Sequence, residues 1–151
     1  MSFLETHGLL EKIGMLSPGG EPHRSDPLSD PQAFRELTSR LAETIDRPYD
    51  IIVVRDLFGD RVLGYQLALI AGKPVAVSYD REGVIVLESG SPIEQGSRAL
   101  IAADTHFTTQ SIQAAASGVK QAGVEVVGVA LLLQTVHGEY PFPVWALESY
   151  D

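Results

Sequence analysis

Cysteine is absent from the sequence, which removes disulfides, thiolate nucleophiles and thiolate metal sites together. That usage suits a reducing compartment, and a cytoplasmic protein is expected. Lysine is scarce: Lys12, Lys73 and Lys120 are the three in the chain, and no basic run occurs. Acidic residues number 20 against 11 Lys and Arg, a formal net charge of −9. Duplex binding needs clustered cations to displace phosphate counter-ions, so no nucleic-acid partner is expected. Long apolar runs are missing too. The most apolar windows, 51–54, 62–77 and 124–133, are short or interrupted, and none reaches the roughly 20 residues of a bilayer span. Met1–Met15 reads MSFLETHGLLEKIGM, with neither a basic start nor an unbroken apolar centre, so it does not read as a secretory leader. A soluble protein with no membrane partner is expected.

What is present is enough for one domain, 1–151. A chain of 151 residues, 44% of them hydrophobic, buries roughly 68–70% of its unfolded surface. Phe3, Leu4, Leu9, Leu10 and Ile13 fall at helical spacing and predict a short amphipathic helix over 3–15. Ser17–Pro31 holds four prolines and two glycines, so it is a long surface connection. Asp30-Pro31 restarts a helix as N-cap and first-turn proline, with Phe34, Leu37, Leu41 and Ile45 inward and Pro48 as its stop. Ile51–Val54 is a continuous β-branched run, the mark of a parallel strand covered on both faces. A polar loop, Arg55–Asp60, then precedes a helix over about 61–71 bearing Val62, Leu63, Leu67 and Ile70. Strands follow at Val75–Tyr79 and Val84–Glu88, around turn chemistry at Asp80–Gly83. A further strand, Ala99–Ala103, ends in Asp104. A loop at 105–109 leads into a helix through Gln121, then a strand at Val124–Leu133 and an edge strand at Phe142–Leu147. The order is that of an α/β fold with a mainly parallel sheet.

Ligands of open α/β sheets bind beyond the carboxyl ends of strands. The most informative such end is Leu100–Ile112, LIAADTHFTTQSI. It delivers one acid, Asp104, then hydroxyls at Thr105, Thr108, Thr109 and Ser111, then a helix start. Unpaired amides and the positive helix end cradle phosphate, and an acid there can hold ribose hydroxyls. The same hydroxyls also serve as plain helix caps. His106 sits inside this segment and is a candidate ligand contact, as is Phe107 beside it. His7, His23 and His137 read as surface residues. No metal ligand set is found by spacing.

Residues 98–133, RALIAADTHFTTQSIQAAASGVKQAGVEVVGVALLL, resemble the phosphoribosyl-diphosphate signature of the type I phosphoribosyltransferases, and among them the orotate phosphoribosyltransferases. The likeness extends outward. Leu9–Met15 resembles their opening helix, Ser29–Leu41 the next one, and LGYQLA with AGKPVA the helix and strand around the pyrophosphate loop. The resemblance implies the phosphoribosyltransferase type I fold, a central mainly parallel sheet flanked by helices. A small N-terminal helical hood (1–48) would precede an α/β core (49–151). It also implies a homodimer, a small anionic phosphorylated ligand and Mg2+ bound together with a phosphoribosyl ligand. The phosphate and ribose-phosphate loop maps to Asp104, Thr105, His106, Phe107, Thr108, Thr109, Gln110 and Ser111. The pyrophosphate loop maps to Arg55, Asp56, Gly59 and Asp60. Asp104 and Arg81 are the catalytic candidates.

The departures are specific. The family's paired acids become Ala103-Asp104, and its Thr-Gly-Gly-Ser becomes Thr108-Thr-Gln-Ser111, which loses the glycines that let backbone approach a phosphate. The pyrophosphate loop keeps Gly59 alone and gains Asp56 and Asp60, which repel a diphosphate unless Arg55 and Arg61 compensate; Asp60 also reads as a helix cap. The basic pair after the third strand becomes Asp80-Arg81, and no cation follows until Arg98. His23-Arg-Ser25 stands where the family carries a His-Ser pair. Tyr140, Phe142 and Trp145 read as an edge strand over the core or as a base platform. Three functional readings follow. One is a phosphate-binding relative with weak or lost glycosyl transfer. The second is an active transferase making a nucleoside monophosphate, with Asp104 on the ribose and Arg81 on the leaving group. The third is a regulatory or scaffold protein with a vestigial site.

Overall fold

The computed structural model describes residues 3–106 and 108–150. Its elements in chain order are α1 (Phe3–Lys12), α2 (Pro31–Thr44), β1 (Ile51–Arg55), α3 (Phe58–Ala71), β2 (Val75–Arg81), β3 (Val84–Glu88), β4 (Arg98–His106), α4 (Thr109–Gln121), β5 (Glu125–Gln134) and β6 (Val144–Ser149). The strands form one sheet in the order β3-β2-β1-β4-β5-β6. All neighbours run parallel except β2 and β3, which make an antiparallel hairpin at one edge.

The unbroken apolar runs are explained by cover on both faces. Ile52, Val54, Leu100, Ala102, Ala130 and Leu132 pack with Leu10 of α1, Phe34, Leu37 and Leu41 of α2, and Leu63 and Leu67 of α3. Ile51, Val53, Ala99, Ile101, Val129 and Leu131 face the other way, onto Ile112, Ala115, Ala116 and Val119 of α4. The helices of segment 1–48 thus share their core with the sheet. On the α4 side, a Cβ at Gly118 would lie 2.3 Å from Ile85 Cγ2, so the helix backbone rests directly on β3.

Several boundaries differ from the sequence expectation, each for a local reason. The first helix stops at Lys12, and Gly14 then turns the chain at φ +77°, tucking Met15 inward. Asp30 caps α2 as expected, accepting from the Ala33 amide, but α2 ends at Thr44 rather than Pro48, with Ile45 already extended. Thr44 Oγ1 donates to the Leu41 carbonyl, ending the ladder there. The next helix begins three residues early, at Phe58, and buries Leu63 and Leu67 while Ile70 is exposed. The turn shrinks to Glu82-Gly83, both at positive φ, because β2 continues pairing through Arg81. Pairing with Leu133 and Gln134 likewise extends β4 past Asp104 to His106. Trp145 packs on the α1–α3 side and the stacked pair Tyr140 and Phe142 on the α4 side, so the C-terminal segment covers the core.

Candidate functional site

Strand order reverses at β1, whose successor β2 lies on one side and β4 on the other. Such a reversal opens a crevice at the carboxyl ends of the two strands. Arg55 closes β1 there, opposite Asp104 of β4. Arg55 Nε donates to Asp60 Oδ2 at 2.6 Å and Nη2 to Asp60 Oδ1 at 3.3 Å. The same Nη2 donates to the Thr105 carbonyl and lies 3.7 Å from Asp104 Oδ1. The Asp104 amide donates to Asp60 Oδ1 at 3.0 Å, and Asp104 Oδ1 accepts from the Thr105 amide at 2.6 Å. Asp104 Oδ2 accepts from both Ser25 N, at 3.1 Å, and Ser25 Oγ, at 2.8 Å.

This network corrects one expectation. Asp60 does not cap α3: the N-cap is Leu57, which has no side-chain cap, and Asp60 points inward, 0% exposed. Burial pushes its carboxyl up to about 7, against the pull of Arg55. Gly59 serves a close approach, though to protein. A Cβ there would lie 2.3 Å from Ser25 Oγ and 2.5 Å from Asp104 Oδ2. Thr105 is buried with its Oγ1 lacking a hydrogen-bond partner among the described residues.

A cleft of about 420 Å³ adjoins the network on the β2 side, lined by Arg55, Asp56, Ser78, Asp80, Ile85 and Ser111 among others. It brings the two expected loops together, but through few of their members. The expected phosphate segment is divided: Asp104, Thr105 and His106 belong to β4, Thr108 is the N-cap, and Thr109, Gln110 and Ser111 form the first turn of α4. Phe107 and the side chain of His106 lie outside the described residues. Thr108 Oγ1 accepts from the Ser111 amide at 3.2 Å, the ordinary cap bond. The arginines flanking the cleft are engaged. Arg61 donates to Asp56 at 2.8 Å and to the Tyr79 hydroxyl at 2.6 Å, which raises its already high pKa. Arg81, on the hairpin and not among the lining residues, pairs with Glu88 and lies over the Tyr79 ring at 5.4 Å.

No protein-family model matches the chain. The orotate phosphoribosyltransferase of Methylorubrum populi is 34% identical over 128 residues, 82% of this chain. This chain spans 65% of the length of the curated relatives it matches. An adenine phosphoribosyltransferase structure from Thermoanaerobacter pseudethanolicus superposes with a TM-score of 0.76 at 21% identity, covering 99% of this chain and 100% of that one. The chain has the type I phosphoribosyltransferase fold. The orotate phosphoribosyltransferase of Aeropyrum pernix shares it, with a TM-score of 0.75 at 17% identity over 94% of this chain and 92% of that chain.

Within this phosphoribosyltransferase fold, sequence reasoning missed two residues at the crevice. Ser25 comes from the proline-rich connection, and its bond to Asp104 spans 79 positions. The signal was His23-Arg-Ser25, a positional likeness without a local pattern. Ser78 reaches the Val54 carbonyl at 3.3 Å and lines the cleft. His7 is not a bare surface residue: it bridges Glu11 at 3.0 Å and the buried Glu148 at 2.9 Å, tying α1 to β6. The Glu148 hydrogen bond raises its pKa, against the opposing effect of burial. The donor set does not fit a protein-held Mg2+. Asp104 has both oxygens engaged, Asp56 is paired with Arg61, and Asp80 accepts from the Gly83 amide. No cluster of three His, Asp or Glu able to hold a metal occurs among the described residues.

Proposed function

We propose that this chain is an orotate phosphoribosyltransferase-like protein that binds a small phosphorylated anion in the cleft between Arg55 and Ser111. Its phosphoribosyl transfer is weak or lost. The observation that carries the reading is that Arg55, which lines the cleft, and the two arginines beside it are already paired: Arg55 with Asp60, Arg61 with Asp56 and Arg81 with Glu88. Glycosyl transfer leaves negative charge on the departing pyrophosphate, and catalysis needs donors preorganised where that charge develops. A guanidinium that must first leave a carboxylate is not preorganised. Binding asks less. The Ser111 amide is taken by Thr108, but the first turn of α4 still brings the positive end of a 13-residue helix and the Ser111 side chain to the cleft wall. Asp104, with Ser25 on one oxygen, stands behind Arg55 in this reading rather than holding a ribose.

Calorimetry with phosphoribosyl diphosphate, with and without Mg2+, tests binding; pyrophosphate release with orotate or adenine tests turnover. Saturable heat with release at background is expected. Absence of heat in both conditions identifies a vestigial site. Sustained turnover that Asp104→Asn and Arg81→Ala each abolish establishes the active transferase instead.

The chain is also proposed to form a homodimer. Phe58, Tyr65 and Leu69 leave an exposed apolar stripe on α3, opposite its buried Leu63 and Leu67. A helix apolar on opposite sides is normally covered on both. Sedimentation equilibrium should give twice the chain mass, and Leu69→Glu should return a monomer.

A further inference from the structure

Two buried carboxylates meet one guanidinium at the head of β1. Asp60 and Asp104 are 0% and 2% exposed, and Arg55 contacts both. With every group ionised, this cluster carries a formal charge of −1. Arg55 also lines the cleft and its side chain is 15% exposed, so it is the charged member of the cluster that a ligand reaches. Asp56, before α3, is held by Arg61 of α3, and Asp80 of β2 faces the cleft. His23 and Arg24 adjoin Ser25 in the connecting loop, and His106 follows Thr105 in β4. From α4 the cleft receives Ser111, Ala114 and Ala115, none of them charged.

We propose that Asp60 is a proton-accepting positioning residue: an anion entering the cleft draws Arg55 off Asp60, and Asp60 takes up one proton in exchange. The proposal rests on the anion-binding reading of the cleft. One ion pair breaks and another forms. The proton comes from solvent and binds Asp60 Oδ2, the oxygen vacated by Arg55 Nε, while Asp60 Oδ1 keeps the Asp104 amide. Nothing is oxidised or reduced. Asp60 already titrates near 7 with Arg55 in place, and losing that cation removes the main influence holding it down. Proton uptake on binding means that affinity rises as pH falls.

Sulfate is the probe, because its charge is constant across the neutral range. Its binding to the full chain is measured by calorimetry at about pH 6.5, 7.5 and 8.5, in buffers of different ionisation heat. Wild-type affinity should weaken above about pH 7 by a factor approaching tenfold per pH unit, with uptake approaching one proton per sulfate. Asp60→Asn should bind with no such slope. A wild-type affinity constant within about twofold across the range, or an Asp60→Asn variant that keeps the slope, overturns the proposal. Sulfate binding without a slope overturns this coupling alone, whereas no binding at any pH overturns the cleft reading and the coupling with it. The proton count comes from wild-type protein, so the test does not depend on the variant folding.

Discussion

Gly59→Ala sets two effects of opposite sign against each other. Gly59 lies in the first turn of α3 without a positive φ, so helix propensity alone favours alanine by about 1 kcal/mol. Packing opposes it. The added methyl would sit 2.3 Å from Ser25 Oγ and 2.5 Å from Asp104 Oδ2, distances that a real Cβ does not occupy. Asp104 is fixed by the Thr105 amide and the nearby Arg55, so the connecting loop carrying Ser25 is the part that gives way. A hydrogen bond to a charged group is worth about 1.5–3 kcal/mol, and overpacking adds about 1–3 kcal/mol. The net expectation is a loss of about 1.5–5 kcal/mol, or a melting temperature lower by about 5–15 °C for a chain of this size. Urea unfolding should show a lower midpoint with an unchanged m-value. In a Ser25→Ala background the same substitution should cost at least about 1 kcal/mol less, since the two sites are coupled. A Gly59→Ala protein as stable as wild type, or more stable, refutes the argument that Ser25 and Asp104 determine glycine here.

The pH dependence of stability offers a second check. Asp60 is raised above its ordinary value, so its contribution is full below about pH 4 and is lost as pH rises through about 7, by at most about 4 kcal/mol. Asp60→Asn should therefore gain on wild type between about pH 5 and pH 8 in paired urea titrations. His7 is also raised, so its stabilising contribution is full below about pH 6.5 and fades as pH rises through the folded-state value. His7→Gln should lower the urea midpoint at about pH 6 and have little effect at about pH 8.5. Thr108→Ala removes the cap of α4 and should cost about 1 kcal/mol, read from the same unfolding curves.

How far the sequence could be read depended on whether an interaction is local. Ile51–Val54 declares a doubly covered strand because every residue is apolar, and Asp30-Pro31 declares a helix start because cap and proline are adjacent. The start of α3 was hidden, since Leu57 caps it with no side chain and Asp60, the obvious cap residue, turns inward to Arg55. The reach of β4 past Asp104 was hidden as well. Thr105 and His106 are polar, and their extended pairing is imposed by Leu133 and Gln134 on the next strand. At the site, residue types and neighbourhood were legible, while the partners were not. Nothing within a few residues of Asp104 announces Ser25, and whether Arg55 faces a ligand or Asp60 is decided only by packing.

The contact between Gly118 and Ile85 has a mechanical consequence. Ile85 forms part of the cleft wall, and Ser111, two turns earlier on the helix that carries Gly118, forms part of the opposite wall. The hairpin and α4 therefore meet at a fulcrum with no side chain on the helix side. Bulk at position 118 acts on the cleft from behind: a single methyl there has to displace Ile85, a residue of the cleft wall, with no cleft residue changed. The aperture of this cleft is set from behind, by the smallest residue in the chain.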